Sequence, residues 1–244
     1  MDYGRQQIIE SLSGTDSAIY DFLPYLLQDL NSLGTNISAI TNLLIKNISE
    51  ISVNSKILDL CCGKGAALIS LVNEFNCYGV GIDLYQPFIQ EAGKLASELS
   101  DYSKICFKEM DIVEAVETLH NFDIVICGYD TPVLGTETET IIKAAGCIKD
   151  GGYIIYETAY PSELNHEQIV LQSGFSIVDK CIYDKKDVKK MNEHNTSMIS
   201  KRALELSEKY PDKAHIFSEY VDNQVNESIE LEEKYALVTY LIEK

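Results

Sequence analysis

Two glycines separated by one residue, Gly63 and Gly65, follow the short apolar run Lys56 to Leu60, which carries Asp59; a second aspartate, Asp83, comes twenty residues after Gly63. Glycine admits left-handed backbone and lets the chain approach a ligand closely, and a helix that follows such a turn offers unpaired N–H groups. A carboxylate about 20 residues further on is at the distance at which a second strand end accepts both hydroxyls of a ribose. Turn and acid together describe a nucleoside site. The dinucleotide spacing G-x-G-x-x-G is not met, because the register from Gly63 ends on Leu68 and the register ending on Ala66 begins on Cys61. That counts against a nicotinamide cofactor and against an oxidoreductase.

Other residues with chemical potential stand at later strand ends. Tyr129 and Asp130 follow the apolar run Phe122 to Cys127, and Glu157 follows Tyr153 to Tyr156. These three are the candidates for a general base, each with an alternative reading as a turn residue or a satisfied polar group. Asp111, after a third run, has an alternative role as a helix N-cap. The four histidines, His120, His166, His194 and His215, lack metal-ligand spacing and read as partly exposed helix residues. The neighbours Cys61 and Cys62 lack zinc spacing and read as small packed residues, so no metal is expected.

Positioning these residues requires strands that end at one edge. Strand-like apolar runs occur at Lys56 to Leu60, Cys77 to Leu84, Lys104 to Lys108, Phe122 to Cys127, Tyr153 to Tyr156 after the turn Lys149 to Gly152, Phe175 to Tyr183, and Tyr235 to Ile242. Helical patterns alternate with them, as in Leu68, Leu71, Val72 and Phe75. Near-continuous apolar strands separated by helices imply an α/β fold with a mostly parallel, seven-stranded sheet covered on both faces. Two helices are expected between Ser17 and Ile48, broken at Gly34 and Thr35. A polar helical stretch, about Asp187 to Glu233, is expected before the last strand, broken at Tyr210 to Asp212. Its apolar residues Ile199, Leu204, Leu206, Ile216, Phe217 and Tyr220 are expected to anchor a cap over the strand ends, the alternative being that they pack on the outer sheet edge near the last two strands. The chain reads as one domain: N-terminal helices (1–50), core (51–183), helical insertion or cap (184–233) and closing strand (234–244).

Composition bounds the rest. The 244 residues carry a net charge of −18, with 45% hydrophobic and 24% charged residues, an ordinary globular mix. The acidic field repels phosphate backbones and disfavours nucleic acid, while it is no obstacle to a cationic ligand. Seven cysteines without a C-x-x-C pair read as reduced core thiols; those in strand runs are Cys77, Cys106, Cys127 and Cys181. The start of the chain is polar, and no run reaches the roughly 18 apolar residues of a membrane span. A cytoplasmic protein, neither secreted nor in a membrane, is expected.

The run Ile57-Leu58-Asp59-Leu60-Cys61-Cys62-Gly63-Lys64-Gly65 resembles the first motif of the class I S-adenosylmethionine-dependent methyltransferases. Gly81-Ile82-Asp83-Leu84, Phe122-Asp123-Ile124-Val125 and Lys149 to Tyr153 resemble that family's ribose-binding strand end, fourth strand and turn into the fifth, in the family's order. The resemblance spans roughly Gly34 to Tyr183 plus the last strand, and it implies a Rossmann-like fold and S-adenosylmethionine as cofactor. It implies that Asp59, Cys61 and Gly63 line the methionine end, with Gly34 near its carboxylate. It further implies that Asp83 and Leu84 hold the ribose, that Asp111 and Ile112 flank the adenine, and that Cys127 is a further contact. The family's usual glycine is replaced by Cys61, and Lys64 stands where threonine or serine is common. The fourth strand end lacks the Asn-Pro-Pro-Tyr type of motif of enzymes that methylate amino groups of nucleic acids, which favours a small-molecule acceptor and direct in-line transfer. The alternatives are an oxidoreductase of the same fold and a protein that binds the cofactor without turnover.

Overall fold

The computed structural model describes residues 3–99, 102–129 and 132–244. In chain order it begins with α1 (Tyr3–Ser11), a 3-10 helix (Ser17–Phe22), the single-turn α2 (Leu23–Leu26) and α3 (Ile37–Asn47). There follow β1 (Lys56–Leu60), α4 (Ala66–Phe75), β2 (Tyr78–Asp83), α5 (Gln86–Leu99), β3 (Ile105–Glu109), α6 (Ile112–Thr118) and β4 (Phe122–Tyr129). The remainder is α7 (Glu137–Gly146), β5 (Ile148–Pro161), α8 (Glu167–Leu171), β6 (Ser176–Ile182), α9 (Lys185–Lys209), α10 (Ala214–Lys234) and β7 (Tyr235–Glu243). Two compact units result: Ser32–Ile182 with Leu237–Lys244, and Met1–Asn31 with Tyr183–Ala236.

The first unit holds a seven-stranded sheet in the order β3-β2-β1-β4-β5-β7-β6. Strands β1 to β5 run parallel, and β7 pairs antiparallel with β6. This is the mostly parallel Rossmann-like α/β sheet expected from the alternating pattern. Strand order reverses at β1, which lies between β2 and β4, so the β1 carboxyl end opens on the crevice where such sheets take ligands. One face is covered by Ile40 and Leu44 of α3, Leu68, Leu71 and Val72 of α4 and Ala96 of α5, packed on Ile57, Ile124, Ile126 and Ile155. Each fully buried aliphatic side chain of this kind contributes about 1.5–3 kcal/mol. On the other face α7 turns Ile141, Ala144 and Ala145 toward β4 and β5.

In the second unit α9 and α10 pack on each other, with the break at Pro211 where the sequence places it. Ile199, Leu206, Ile216, Phe217 and Tyr220 are buried there, and the Phe22 ring meets Phe217 edge-on at a centroid distance of 4.9 Å. Leu204, expected as an anchor, is exposed on the outer side of α9. Arg202 grips Asp29 with two hydrogen bonds of 2.7 and 2.8 Å.

Several local expectations are corrected. Helix α1 was not expected, because its sequence is polar. The spacing of Phe22, Leu26 and Leu30 promises a long helix, but only one α-helical turn forms, with Pro24 in its first turn. The turn expected at Lys149 to Gly152 belongs to β5, which distorts at Gly151 (φ +75°) rather than starting after it. Cys106 is exposed because β3 is an edge strand.

Candidate cofactor and acceptor site

The turn after β1 is built on three left-handed residues, Cys61 (φ +63°), Gly63 (φ +54°) and Gly65 (φ +74°). Gly65 caps α4 and has no room for a side chain: a Cβ there would lie 2.5 Å from the Phe107 ring and 3.1 Å from Ala92. Gly63 differs, since a Cβ would meet only Leu33, at 3.9 Å. Its need for glycine is conformational, and the space beside it is open. Cys61, where the family usually has glycine, adopts the same left-handed backbone at a cost of about 1–2 kcal/mol. Lys64 turns away from the crevice: its side chain is buried and its Nζ pairs with Glu91 on α5 at 2.8 Å.

Asp83 braces this turn from β2. Its Oδ2 accepts from Gly63 N and its Oδ1 from Tyr85 N, both at 2.8 Å. Burial raises its pKa, and these two bonds act in the opposite direction. Leu84 follows directly. The end of β3 is tied in by Met110 N, which donates to Asp83 O at 3.0 Å. Asp111, the next residue, caps α6 through a bond from Val113 N, so its capping role is realised, and Ile112 begins that helix.

Asp59 is only 4% exposed. Burial first, then the carboxylates of Glu157 and Asp83, push its pKa well above the ordinary range. Glu157 is held by Thr239 Oγ1 (3.2 Å) and, more weakly, by Asn36 N (3.4 Å). Gly34, two residues before Asn36, has φ +133° and open space where a side chain would stand. Asp59, Cys61, Gly63, Asp83, Leu84, Asp111 and Ile112 are thus gathered at the ends of β1 to β3, while Glu157, expected just past a strand, lies inside β5 opposite Gly128 near the end of β4, because β5 runs on to Pro161. Cys127 does not join them through its side chain. It is fully buried in register with Tyr156, and burial pushes its thiol up to about 12. Tyr129 ends β4 opposite Thr158, but its side chain and Asp130 lie outside the described residues.

Sequence reasoning missed three things. Thr239 carries no local signal; Asn36 does, as an N-cap that accepts from Ala39 N just before the apolar periodicity of α3. His166, read as partly exposed, is fully buried. Its Nε2 lies 2.7 Å from Glu137 Oε2, its Nδ1 lies 3.1 Å from the Tyr240 hydroxyl, and its ring stacks on Tyr160. Burial opposes ionisation of Glu137, but the bonds from His166 and Tyr156 outweigh it and hold the carboxyl below its ordinary pKa. This network lies on the opposite face of β5 from Glu157, since Tyr156 and Glu157 are adjacent along the strand.

Known proteins match this arrangement. The family described as a methyltransferase domain matches residues 51–218. A demethylmenaquinone methyltransferase of Lactiplantibacillus plantarum is 22% identical over 117 residues, which is 47% of this chain and 49% of that protein. The match thus spans about half the length of that relative. Two solved S-adenosylmethionine-dependent methyltransferases, each with bound S-adenosyl-L-homocysteine, share the fold. The one from Thiobacillus denitrificans has a TM-score of 0.73 at 15% identity, over 91% of this chain and 97% of that one. The one from Geobacter sulfurreducens has a TM-score of 0.74 at 16% identity, over 91% and 97%. At such identities the likeness to solved structures is one of fold.

Proposed function

The chain belongs to the methyltransferase-domain family, in its class I S-adenosylmethionine-dependent form, and on that premise we propose that it methylates a small-molecule acceptor by direct in-line transfer. The observation that carries the reading is the braced turn, in which Asp83 holds the Gly63 amide while Gly63 leaves open space on its ligand side. S-adenosylmethionine supplies a methyl group already activated on a sulfonium. The residues present fit it. Asp83 keeps lone pairs on both oxygens for ribose hydroxyls after accepting its two backbone bonds. Gly63 and Gly34 leave a cradle that a Cβ would narrow, and Asp59 places a carboxyl near the cationic end.

An in-line transfer asks the protein for alignment and exclusion of water rather than for a triad. Glu157 is the base candidate supported by position. Thr239 and Asn36 fix its carboxylate at the strand rim, where it can take a proton from an acceptor that arrives protonated. A small molecule is favoured by the acidic surface, which repels nucleic acid, and by the named acceptor of the demethylmenaquinone relative. Seven free cysteines and the absence, among the described residues, of a helix able to cross a membrane suit a cytoplasmic setting. The test is incubation of the purified chain and a metabolite extract with S-adenosylmethionine carrying a labelled methyl. Label is expected in the small-molecule fraction; label recovered only in protein or nucleic acid would overturn the acceptor class.

A further inference from the structure

We propose that His166 is a positioning residue for methyl transfer: with Glu137 and Tyr240 it ties β5 to β7 directly behind Glu157 and so sets where the Glu157 carboxylate stands. The inference rests on the reading of Glu157 as the base that receives the acceptor's proton. Strands β5 and β7 are neighbours in the sheet, and Thr239 Oγ1 of β7 donates to Glu157 Oε1 of β5 at 3.2 Å. The adjacent residues on the two strands, Tyr156 and Tyr240, project to the opposite face. There a second, longer link joins the same strands. Tyr156 Oη donates to Glu137 Oε2 at 2.8 Å, His166 Nε2 meets the same oxygen at 2.7 Å, and His166 Nδ1 meets the Tyr240 hydroxyl at 3.1 Å. The two links stand back to back, with Tyr156 beside Glu157 and Tyr240 beside Thr239.

The chemistry gives the bridge a direction. Glu137 opens α7, where a helix N-terminus favours its negative charge, and an ionised carboxylate only accepts. His166 Nε2 therefore carries a proton, and in the neutral imidazole Nδ1 is left to accept from the Tyr240 hydroxyl. Each polar group along the bridge, from Tyr240 through His166 and Glu137 to Tyr156, has a partner. Tyr156, His166 and Tyr240 are buried, and the imidazole stacks on Tyr160 at 4.5 Å, so water does not compete for these bonds. His166 stands at the N-cap of α8 without capping it, so its side chain serves the bridge rather than the helix. Glu157, by contrast, is gripped by a neutral hydroxyl and by the Asn36 amide at 3.4 Å, a bond near the limit of length. The place of its carboxylate depends on β7 keeping its station against β5, and the bridge secures that station.

The test measures transfer of labelled methyl from saturating S-adenosylmethionine into the small molecules of a metabolite extract. The full chain is compared, wild type beside His166→Phe, Tyr240→Phe and each of these combined with Glu157→Gln. His166→Phe keeps a ring on Tyr160 and removes both bonds, while Tyr240→Phe removes a single hydroxyl and covers the case in which the first variant fails to fold. Each is expected to slow transfer about tenfold and to leave S-adenosylhomocysteine affinity within about twofold. In the Glu157→Gln background the further loss should stay below about twofold, because a residue that acts through Glu157 has nothing left to position. His166→Gln, whose amide both donates and accepts, should recover most of the rate. A loss of about tenfold repeated in Glu157→Gln would mark a general structural role and overturn the proposal, as would an undiminished rate in folded Tyr240→Phe. An undiminished rate in Glu157→Gln itself overturns the reading of Glu157 as the base, and the positioning role falls with it. If the wild-type chain labels no small molecule, the acceptor reading fails first and takes the proposal with it.

Discussion

Asp59 is a carboxyl whose ionisation the native fold opposes, because burial and two neighbouring carboxylates disfavour its charge. The linkage has a definite sign. Between the ordinary carboxylate pKa and the raised native value, the folded chain holds a proton that the unfolded chain has lost, so stability falls as pH rises through that window. Asp59→Asn, which is neutral throughout, should raise the melting temperature, with a gain that is small near about pH 4 and grows as pH rises above it. Thermal melts across that range check this, and a gain independent of pH would show that Asp59 titrates normally. The places of Asp59 and Asp83 beside the β1 turn were legible because they follow from distance to a pair of glycines. His166 was not, because its burial depends on Glu137, Tyr160 and Tyr240, which are 29, 6 and 74 residues away.

At the scale of elements, the β1 turn and α4 depend on two glycines for different reasons. Gly65→Ala forces a Cβ into Phe107 and Ala92 at a left-handed position, so it should destabilise by roughly 2–4 kcal/mol. Gly63→Ala carries only the backbone cost of about 1 kcal/mol, but it places a methyl in the cradle, so cofactor affinity should suffer more than stability. Urea unfolding of both variants separates them, and equal losses would show that the turn relaxes. The strands were legible from their apolar runs, β1 and the start of β7 to the residue. The N-terminal segment was not. Phe22, Leu26 and Leu30 are spaced as on a helix face, yet burial is met by a 3-10 helix and one α-turn, and tertiary packing overrides the local period. The true length of β5 was hidden because Gly151 and Gly152 signal a turn, whereas β4 pairing carries the strand through them with a register irregularity.

For the whole molecule, the ordered motifs Asp59 to Gly65, Asp83 and Phe122 to Val125 led to the family that the match over residues 51–218 shows. The surroundings of Glu157 were less legible, since it is held by Thr239 from the far end of the chain. All of it depends on one claim, that the braced turn and Asp83 form the nucleoside site. Calorimetric titration of the purified chain with S-adenosylhomocysteine, wild type beside Asp83→Ala, tests it most directly. Saturable binding at one site per chain is expected, weakened in the variant by about 1.5–3 kcal/mol, or roughly 10- to 150-fold, for loss of a charge-assisted contact to the ribose hydroxyls. No saturable binding by the wild-type chain, or equal affinity in a variant whose circular dichroism shows it folded, would contradict the account.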